Sequence, residues 1–380
     1  MVRLTRAQQQ ERTRATVLVA ARQEFAEYGY AEAKIDRMAE RAELTRGAVY
    51  SNFSGKRALY LAVLADAAEQ AWLAAEPPVE SPDSTGRALG AFARVWLERL
   101  PLTGDTPGDG HLQLRSLSGV LDGEPARTAL AELFRFEALL LALALEPRTA
   151  VRRSTVRLAE LALTLLNGAA GLAENAPGVS DPFDLARAAE HLAGIALLDD
   201  GEPAHLPFIT PAQAAEDPWA APREPRDEIT GSRVDLGDDG VVVVLGVGRL
   251  SAAEETVFAA RLRDKVTFVV VTSDPAETGR LARLRILDLV GSLRRVFAAG
   301  ELPRPRVVLD DDGTVAAALG EKPADDLTDD LTEVAVRVRH GLIVARAEGR
   351  GAGYAVATHT GRENRRRRDG VSPEETADEA

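Results

Sequence analysis

A proline-rich segment separates two parts of the chain that have different hydrophobic periodicities. Six of the 20 prolines lie between residues 201 and 235, with Asp, Glu and Ala between them. Because proline has a fixed φ and no backbone donor, such a segment continues neither a helix nor the interior of a sheet, and it predicts an extended linker. At 380 residues the chain also exceeds the size of one ordinary domain. The sequence therefore predicts a multi-domain protein with a linker over 201–235.

Before this linker the pattern is helical. Between residues 10 and 200, apolar side chains recur at intervals of three and four residues, and Pro, Gly or Asp bounds most segments. Gly29 is expected to end the first helix, because glycine adopts the left-handed conformation that closes a helix at low cost. No stretch here alternates apolar and polar residues as a half-buried strand does. We predict two all-α domains, over 1–75 and 76–200.

After the linker the pattern is α/β. Short β-branched runs alternate with helical segments in the order strand 241–245, helix 252–263, strand 266–271, helix 277–299. Two later turn signals, Asp-Asp-Asp-Gly at 310–313 and His-Gly at 340–341, are each flanked by short apolar runs and predict hairpins. We therefore predict a small α/β domain over 236–360, followed by a polar, disordered tail over 361–380.

Positive charge is concentrated at the N-terminus of an otherwise acidic chain. The formal net charge is −13, but residues 1–60 hold eleven Lys and Arg against seven Asp and Glu, a local charge of +4. A basic module attached to an acidic body is typical of a protein that meets an anionic partner through one end. The sequence therefore places the candidate contact with an anionic partner in the first 60 residues.

Residues 34–53 have the pattern of two short helices joined by a turn. Met38, Ala39 and Ala42 place small or apolar groups on one side of the first helix, and Leu44 fills the turn. Such a crossing lets the second helix project into the major groove, which is about 12 Å wide and admits one helix. The residues predicted to contact DNA lie in and around that second helix: Lys34, Thr45, Arg46, Gly47, Ala48, Tyr50, Ser51, Asn52, Phe53 and Lys56.

Four of these side chains have predicted roles that follow from their chemistry. Arg46 can read a base edge, because its guanidinium forms paired hydrogen bonds with guanine. Thr45 can cap the second helix and bond a phosphate. Tyr50 and Lys56 offer further phosphate contacts.

Four sequence patterns in this region resemble the DNA-binding domain of the TetR/AcrR family of transcriptional regulators. They are FAEYGY at 25–30, MAERAE at 38–43, LTRGAVYSNF at 44–53 and KRAL at 56–59. Two positions depart from the family pattern. Glu43 replaces the usual turn glycine, and Lys34 stands where the family caps a helix with Ser or Thr. The resemblance implies a TetR-like helix-turn-helix domain followed by a helical effector-binding and dimerisation domain.

The resemblance also implies which residues form a dimer interface and an effector pocket. In the family, the last two helices of the second domain form a four-helix dimer interface. The corresponding residues here are Leu165, Ala169, Leu185, Ala189 and Leu192. Four aromatic side chains of the same domain either fill its core or line a chamber for a largely apolar small molecule: Phe92, Trp96, Phe134 and Phe136.

The α/β domain is open to more than one interpretation. Its element order resembles the thioredoxin and peroxiredoxin fold, but the chain has no cysteine, and Gly-Arg-Leu-Ser occupies 248–251, where the reactive cysteine would lie. Gly246, Gly248 and Ser251 imitate a dinucleotide fingerprint that lacks its third glycine. If the thioredoxin-like fold is right, the domain is a binding or dimerisation module. The alternative is an α/β enzyme fused to a DNA-binding module.

Composition excludes several classes of site. Without cysteine there are no disulfides or thiolate metal sites, and the five histidines have no metal-binding spacing. We expect no metal, no cofactor and no catalytic set. The start of the chain lacks a signal-peptide pattern and no apolar run reaches the ~18 residues of a membrane span, so we expect a cytoplasmic protein without a membrane partner. The predicted function is a homodimeric, ligand-responsive repressor that binds a palindromic operator.

Overall fold

The computed structural model of the chain describes residues 5–100, 112–121, 123–146, 153–197, 203–222, 224–319 and 329–359. Eight helices with fully described bounds occupy the N-terminal part of the chain, and none of the described residues before Gln213 forms a strand. Their bounds are α1 Arg6–Glu32, α2 Ile35–Arg41, α3 Arg46–Tyr50, α4 Lys56–Ala74, α5 Thr85–Leu97, α6 Glu124–Leu145, α7 Arg153–Asn175 and α8 Pro182–Leu192. The predicted disordered tail, 361–380, lies outside the described residues.

Helix α1 is interrupted where the sequence predicted its end. Gly29 has φ 66° and ψ −180°, a conformation that L side chains rarely adopt, so the helical hydrogen bonding breaks after Tyr28. The following residues turn the chain so that Tyr30 lies 5.0 Å from Tyr60 on α4, ring centroid to ring centroid. The prediction for Gly29 is confirmed.

The C-terminal part contains one mixed six-stranded sheet with helices beside it. The strands are β1 Gln213–Pro218, β2 Gly240–Gly246, β3 Lys265–Val271, β4 Arg306–Leu309, β5 Glu333–Arg339 and β6 Leu342–Glu348. Their order in the sheet is β1-β6-β5-β2-β3-β4, with β2, β3 and β4 parallel and the remaining pairs antiparallel. The later helices are α9 Ala252–Ala259, α10 Arg280–Val296, α11 Thr314–Leu319 and α12 Ala352–Thr358. The sequence predicted an α/β arrangement here, and the structure has one, whereas a thioredoxin-like fold is not confirmed.

One of the two predicted hairpins is present and the other is wrong. His340 and Gly341 connect β5 to β6, which pair antiparallel. At the Asp-Asp-Asp-Gly sequence, by contrast, β4 is followed by helix α11 and pairs parallel with β3. The Asp310 carboxylate accepts hydrogen bonds from the backbone amides of Val315 and Ala316, at 3.2 and 2.9 Å. The Asp310 side chain therefore caps the start of helix α11. An Asp in a turn-forming sequence can also act as such a cap.

The proline-rich segment is folded onto the sheet and is not an extended linker. Strand β1 pairs antiparallel with β6, and Pro218 fits at its end because β1 is an edge strand with one unpaired side. Further along, Ile229 and Val234 are fully buried. The Asp227 carboxylate accepts a hydrogen bond from the Val307 amide of β4 at 3.0 Å. The composition predicted neither this packing nor the short 3-10 helix at Leu206–Phe208.

The sheet has a different apolar cluster on each face. Alternate residues of the central strands, such as Val243 and Phe268, join a cluster that includes the N-terminal helices. The other residues, such as Val244 and Val269, form a smaller cluster with α11 and the segment before β2. Side chains of a strand point alternately to the two faces, so a strand buried on both faces is apolar throughout, as β2 is.

Helix α10 packs along α4, so the two parts of the chain share one core. A Cβ built on Gly291 of α10 would lie 3.5 Å from the Trp72 Cα of α4. The Trp72 indole donates to the Glu228 carbonyl at 2.9 Å and lies between the guanidinium groups of Arg226 and Arg294. Because this shared core buries residues from both parts, the helices before the proline-rich segment and the α/β part after it pack together.

Among the described helices, α7 is the one that is long and apolar enough to cross a membrane, by length and composition alone. In this structure it packs against α6 and α8, and nine of its side chains are buried. Its apolar character is thus partly explained by the core.

Candidate nucleic-acid interface and ligand cavity

The turn between α2 and α3 is closed by Glu43 in the left-handed conformation. Its φ is 54°, and its amide donates to the Glu40 carbonyl at 3.1 Å. The next amide, of Leu44, donates to the Ala39 carbonyl at 3.0 Å. Glu43 therefore adopts the backbone geometry that the family pattern assigns to glycine, and α3 crosses α2 in a helix-turn-helix.

A buried carboxylate from α1 supplies the missing cap of α2. Lys34 makes no side-chain cap, but its amide donates to Glu24 Oε1 at 3.0 Å. Glu24 is fully buried, and its charge is balanced by Arg37 at 2.5 Å and Arg41 at 3.4 Å. The sequence analysis missed Glu24. The available signal was an acidic residue three positions after Ala21, on the buried face of α1.

Helix α3 presents short side chains and one arginine to solvent. Thr45 Oγ1 accepts from the Ala48 amide at 3.2 Å and so caps the helix. The Arg46 side chain is 62% exposed, lies 3.3 Å from Asp36 and stands over the Tyr50 ring. The exposed residues of this segment are Thr45, Arg46, Gly47, Tyr50 and Ser51. A DNA backbone can approach the short side chains of this surface closely, and Arg46 and Tyr50 are the long side chains that project from α3.

Other residues predicted to contact DNA lie away from this surface or have side chains that already form contacts within the protein. Asn52 donates to the Ala48 carbonyl at 2.8 Å, and Ala48 is half-buried. Phe53 is only 3% exposed and belongs to the core, where the guanidinium groups of Arg14 and Arg280 cover its ring at 4.9 and 5.2 Å. Phe53 therefore supports α3 from beneath, and its assignment to the exposed DNA surface is corrected.

The Lys56 side chain connects α4 to α1. Its Nζ donates to the Ala31 carbonyl at 2.9 Å and lies 4.9 Å from the centre of the Tyr30 ring. Burial lowers the pKa of its ammonium group. Lys34, in contrast, is exposed at the start of α2. Of the two lysines predicted to contact DNA, only Lys34 has an exposed side chain that can bind a phosphate in this conformation.

The C-terminal part of the chain contacts the start of α4, directly behind α3. Arg57 forms an ion pair with Glu277, and Arg280 donates to the Ala58 carbonyl at 2.7 Å. Burial, followed by the charge of Arg14, lowers the pKa of Arg280 to about 10. No local sequence pattern indicates these contacts, because the partners are more than 200 residues apart.

A cavity of about 980 Å³ lies between α6, α7, the end of α5 and α10. Trp96 and Phe134 line it, as predicted for an effector chamber. Phe92 and Phe136 do not line it and are fully buried, and Phe136 packs edge-on against Phe268 of β3 at 5.9 Å. For these two residues the core interpretation is correct. Within the described part of the chain, no group of three or more His, Asp or Glu side chains is placed to hold a metal ion.

The residues predicted for a dimer interface face inward within one chain. Ala169 and Ala189 are 5% and 0% exposed, and the remaining three are half-buried: Leu165, Leu185 and Leu192. Helix α8 packs on the glycines of α5, where a Cβ on Gly90 would lie 3.2 Å from Glu190. The small residues of α8 thus serve packing against α5. The exposed apolar side chains of this region are Leu161, Leu172, Val179, Phe183 and Ile195.

The N-terminal residues match a known family model. Residues 17–63 match the model described as bacterial regulatory proteins, tetR family. Over 65 residues, the chain is 43% identical to an uncharacterized HTH-type transcriptional regulator, TtgW, from Pseudomonas putida. That match covers 17% of this chain and 48% of TtgW, so the chain spans about half the length of this curated relative.

Solved structures also resemble part of the chain. A TetR-family transcriptional regulator from Pectobacterium atrosepticum is 27% identical, with a TM-score of 0.34, over 50% of this chain and 95% of its own. NalD from Pseudomonas aeruginosa, the secondary repressor of a multidrug efflux pump, is 24% identical, with a TM-score of 0.31, over 48% and 94%. The family model and the helix-turn-helix geometry of residues 35–50 agree. Residues 17–63 therefore form a DNA-binding domain of the type found in bacterial regulatory proteins of the tetR family.

Proposed function

We propose that this protein is a ligand-responsive transcriptional repressor that binds a palindromic operator as a homodimer in the cytoplasm. The observation that carries the proposal is the exposed surface of α3, where Arg46 and Tyr50 face solvent among short side chains. This surface belongs to the segment with a net charge of +4 in a chain of net charge −13. The acidic remainder is repelled by DNA phosphates, so attraction is confined to the basic end.

A homodimer is supported by the exposed apolar side chains of α7 and the region of α8. Leu172 and Phe183 are 57% and 76% exposed, and Ile195, just beyond α8, is 47% exposed. On α7, a Cβ built on Gly168 or Gly171 would have no neighbour within 4 Å, so a partner backbone can approach there. Two chains related by a two-fold axis would cover these groups and present α3 twice, which requires an inverted repeat in DNA.

A response to a ligand is supported by a hydrogen-bonded path from the cavity to α4. Ser116 lines the cavity, and its hydroxyl donates to Glu174 at 2.5 Å. Its carbonyl accepts from the Tyr60 hydroxyl of α4 at 2.9 Å, and burial raises the pKa of Tyr60 so that it stays a donor. Helix α4 begins directly behind α3, so a shift of α4 would move the recognition helix. A coupling of about 1–3 kcal/mol would change operator affinity some 5–150-fold.

The test first selects, from random DNA, the sequences that the full-length protein binds. Binding to a selected sequence is then measured by fluorescence anisotropy. We expect affinity to fall steeply with salt, because several phosphates are neutralised. Arg46→Ala should weaken binding by about 1–3 kcal/mol and relax sequence preference. Arg94→Ala, an exposed arginine on α5, is the matched control and should leave binding unchanged. Failure to select any sequence, or equal effects of the two substitutions, would overturn the proposal.

A further inference from the structure

The ligand cavity is built by both parts of the chain. Most of its wall comes from α5, α6, α7 and residues 114–117, but Leu284, Arg285 and Asp288 of α10 complete it. Helix α10 is the element that packs along α4 and whose first residue, Arg280, contacts the start of α4. A molecule in the cavity would therefore touch the C-terminal α/β part directly.

The charged side chains of the cavity are mostly cationic. Three acidic residues line it, namely Glu160, Glu174 and Asp288. Six arginines line it: Arg99, Arg115, Arg127, Arg135, Arg157 and Arg285. This excess of three positive charges occurs in a chain whose net charge is −13. Because such a lining stabilises negative charge and repels cations, the electrostatics favour an anionic ligand.

Three of these arginines meet at the α10 wall and share two carboxylates. Asp288 pairs with Arg99 at 2.5 Å and with Arg115, while Arg285 pairs at 2.5 Å with Glu137, which is 2% exposed. Arg285 also has a buried Nε atom without a hydrogen-bond partner. The cluster therefore has one more positive than negative charge and an unused buried donor.

Burial and mutual repulsion act on the same cluster. Burial, followed by the charge of Arg285, lowers the pKa of Arg99 to about 9. Burial, followed by the charges of Arg99 and Arg285, lowers the pKa of Arg115 to about 9. Cations that destabilise one another in a low-dielectric site are stabilised by a further anion, and guanidinium groups bind carboxylates in paired hydrogen bonds.

Apolar side chains form another part of the cavity wall. Trp96, whose ring centre lies 4.2 Å from the Arg99 guanidinium, lines the cavity together with Phe134, Leu130, Leu161 and Leu197. Leu161 is 41% exposed and lies on the outer face of α7, so the cavity reaches the surface there. A ligand that contacts both the arginine cluster and these side chains must combine a compact anionic head with an apolar body.

We propose that the cavity binds an amphipathic organic carboxylate, with its head at Arg99, Arg115 and Arg285 and its body against Trp96 and Phe134. This inference rests on the proposed ligand response and names the chemical class of the ligand. It adds an anionic head to the largely apolar effector expected from the sequence. It also assigns a role to the α/β part, which supplies Arg285 and Asp288 and so forms part of the sensor.

The experiment compares three ligands that share one apolar chain and differ in the charge of the head. Decanoate, 1-decanol and decyltrimethylammonium are titrated into the full-length protein by isothermal titration calorimetry, below the concentrations at which they aggregate. We expect decanoate to bind at least about tenfold more tightly than 1-decanol, the equivalent of one charge-assisted hydrogen bond. Decyltrimethylammonium should bind most weakly. No measurable binding of decanoate, or a ranking with the cation first, overturns the inference.

Arg115→Gln is the informative variant, because Asp288 keeps Arg99 as a partner and no buried carboxylate is left unpaired. We expect this variant to lose about tenfold in decanoate affinity and nothing in 1-decanol affinity, which shows that the cavity is intact. Arg94→Gln, exposed on α5, is the control and should bind all three ligands as the unmodified protein does. An unchanged decanoate affinity in Arg115→Gln also overturns the inference.

Operator binding distinguishes this inference from the proposed function. If decanoate binds as expected but does not release operator DNA, the carboxylate site stands and the ligand response is wrong. If the protein binds operator DNA but not decanoate, the DNA-binding proposal stands and the carboxylate site is wrong. Measuring calorimetry and anisotropy on the same preparation separates the two.

Discussion

Lys34 and Lys56 carry the same charge near α3 but have different surroundings. Lys56 donates to the Ala31 carbonyl and is partly buried, whereas the side chain of Lys34 is exposed. We expect Lys56→Ala to lower the free energy of unfolding by about 1 kcal/mol, the usual net value of one hydrogen bond. Lys34→Ala should leave stability unchanged and reduce the salt dependence of operator binding by about one unit of slope. Urea unfolding and anisotropy at several salt concentrations test both expectations, and the reverse pattern would contradict the assignment.

Arg337 is a charged side chain at the centre of the sheet, and its partners make it stable there. It is 1% exposed and donates to both carboxylate oxygens of Asp264, at 3.0 and 2.9 Å, and to the carbonyls of Val356 and Ala357. Asp264→Asn leaves this guanidinium without a counterion and should cost about 3–5 kcal/mol of unfolding free energy. Asp217→Asn, which removes an exposed ion pair on β1, should cost less than about 1 kcal/mol.

The same pair contributes to the dependence of stability on pH. Burial acts to raise the pKa of Asp264, but hydrogen bonds and charge from Arg337 outweigh it, and the pKa lies below the usual value. A carboxylate with a lowered folded pKa stabilises the protein above its unfolded pKa of about 3.9 and loses that contribution as pH falls through the folded pKa. Asp264→Asn should therefore flatten the acid limb of the stability curve. An unchanged acid limb in chemical denaturation would contradict this.

At the scale of elements, the contact between α4 and α10 has little room. A Cβ on Gly291 fits at 3.5 Å from Trp72 Cα, so Gly291→Ala should be tolerated and should gain helix propensity. Gly291→Leu must push the helices apart and should cost about 1–3 kcal/mol through overpacking. Thermal unfolding of the two variants tests the contact. Equal stability of both variants would mean that α10 does not lie on α4 in solution.

Which elements the sequence predicted depends on whether their determinants are local. The helix-turn-helix was predicted because its turn, its apolar positions and the Thr45 cap of α3 lie within residues 34–53. Helix α11 was missed because an Asp side chain serves equally in a turn and as a helix cap. Here the backbone amides of Val315 and Ala316 donate to Asp310, which makes it a helix cap. Strand β1 was missed because its partner β6 lies more than 120 residues later and proline-rich composition conceals an edge strand.

At the scale of the whole molecule, long-range packing was outside the reach of sequence patterns. The cavity was placed among the central helices, but α10 also lines it, through Arg285 and Asp288. Nothing in the periodicity of residues 280–296 indicates that α10 packs along α4 and also lines the cavity. The small residues of α8 were assigned to a dimer for the same reason, since a sequence does not show that α5 covers Ala189.

The exposed apolar face of α7 and α8 gives a prediction about assembly. Phe183→Glu places a charge on a side chain that is 76% exposed in one chain, and burial in a dimer would make that charge costly. We expect this variant to sediment as a monomer and to lose affinity for a full operator. Val79→Glu, at a side chain that is 96% exposed outside these helices, should remain a dimer. A dimeric Phe183→Glu protein would place the interface elsewhere.

Hydroxyl-radical footprinting of the full-length protein on its selected DNA sequence tests the DNA-reading dimer most directly. Two copies of α3 related by a two-fold axis predict two protected tracts of inverted sequence, with centres a whole number of helical turns apart, at about 34–36 Å per turn. Both tracts should weaken together in Arg46→Ala. A single protected tract, or protection that does not depend on sequence, would contradict a homodimer that reads a palindromic operator through α3.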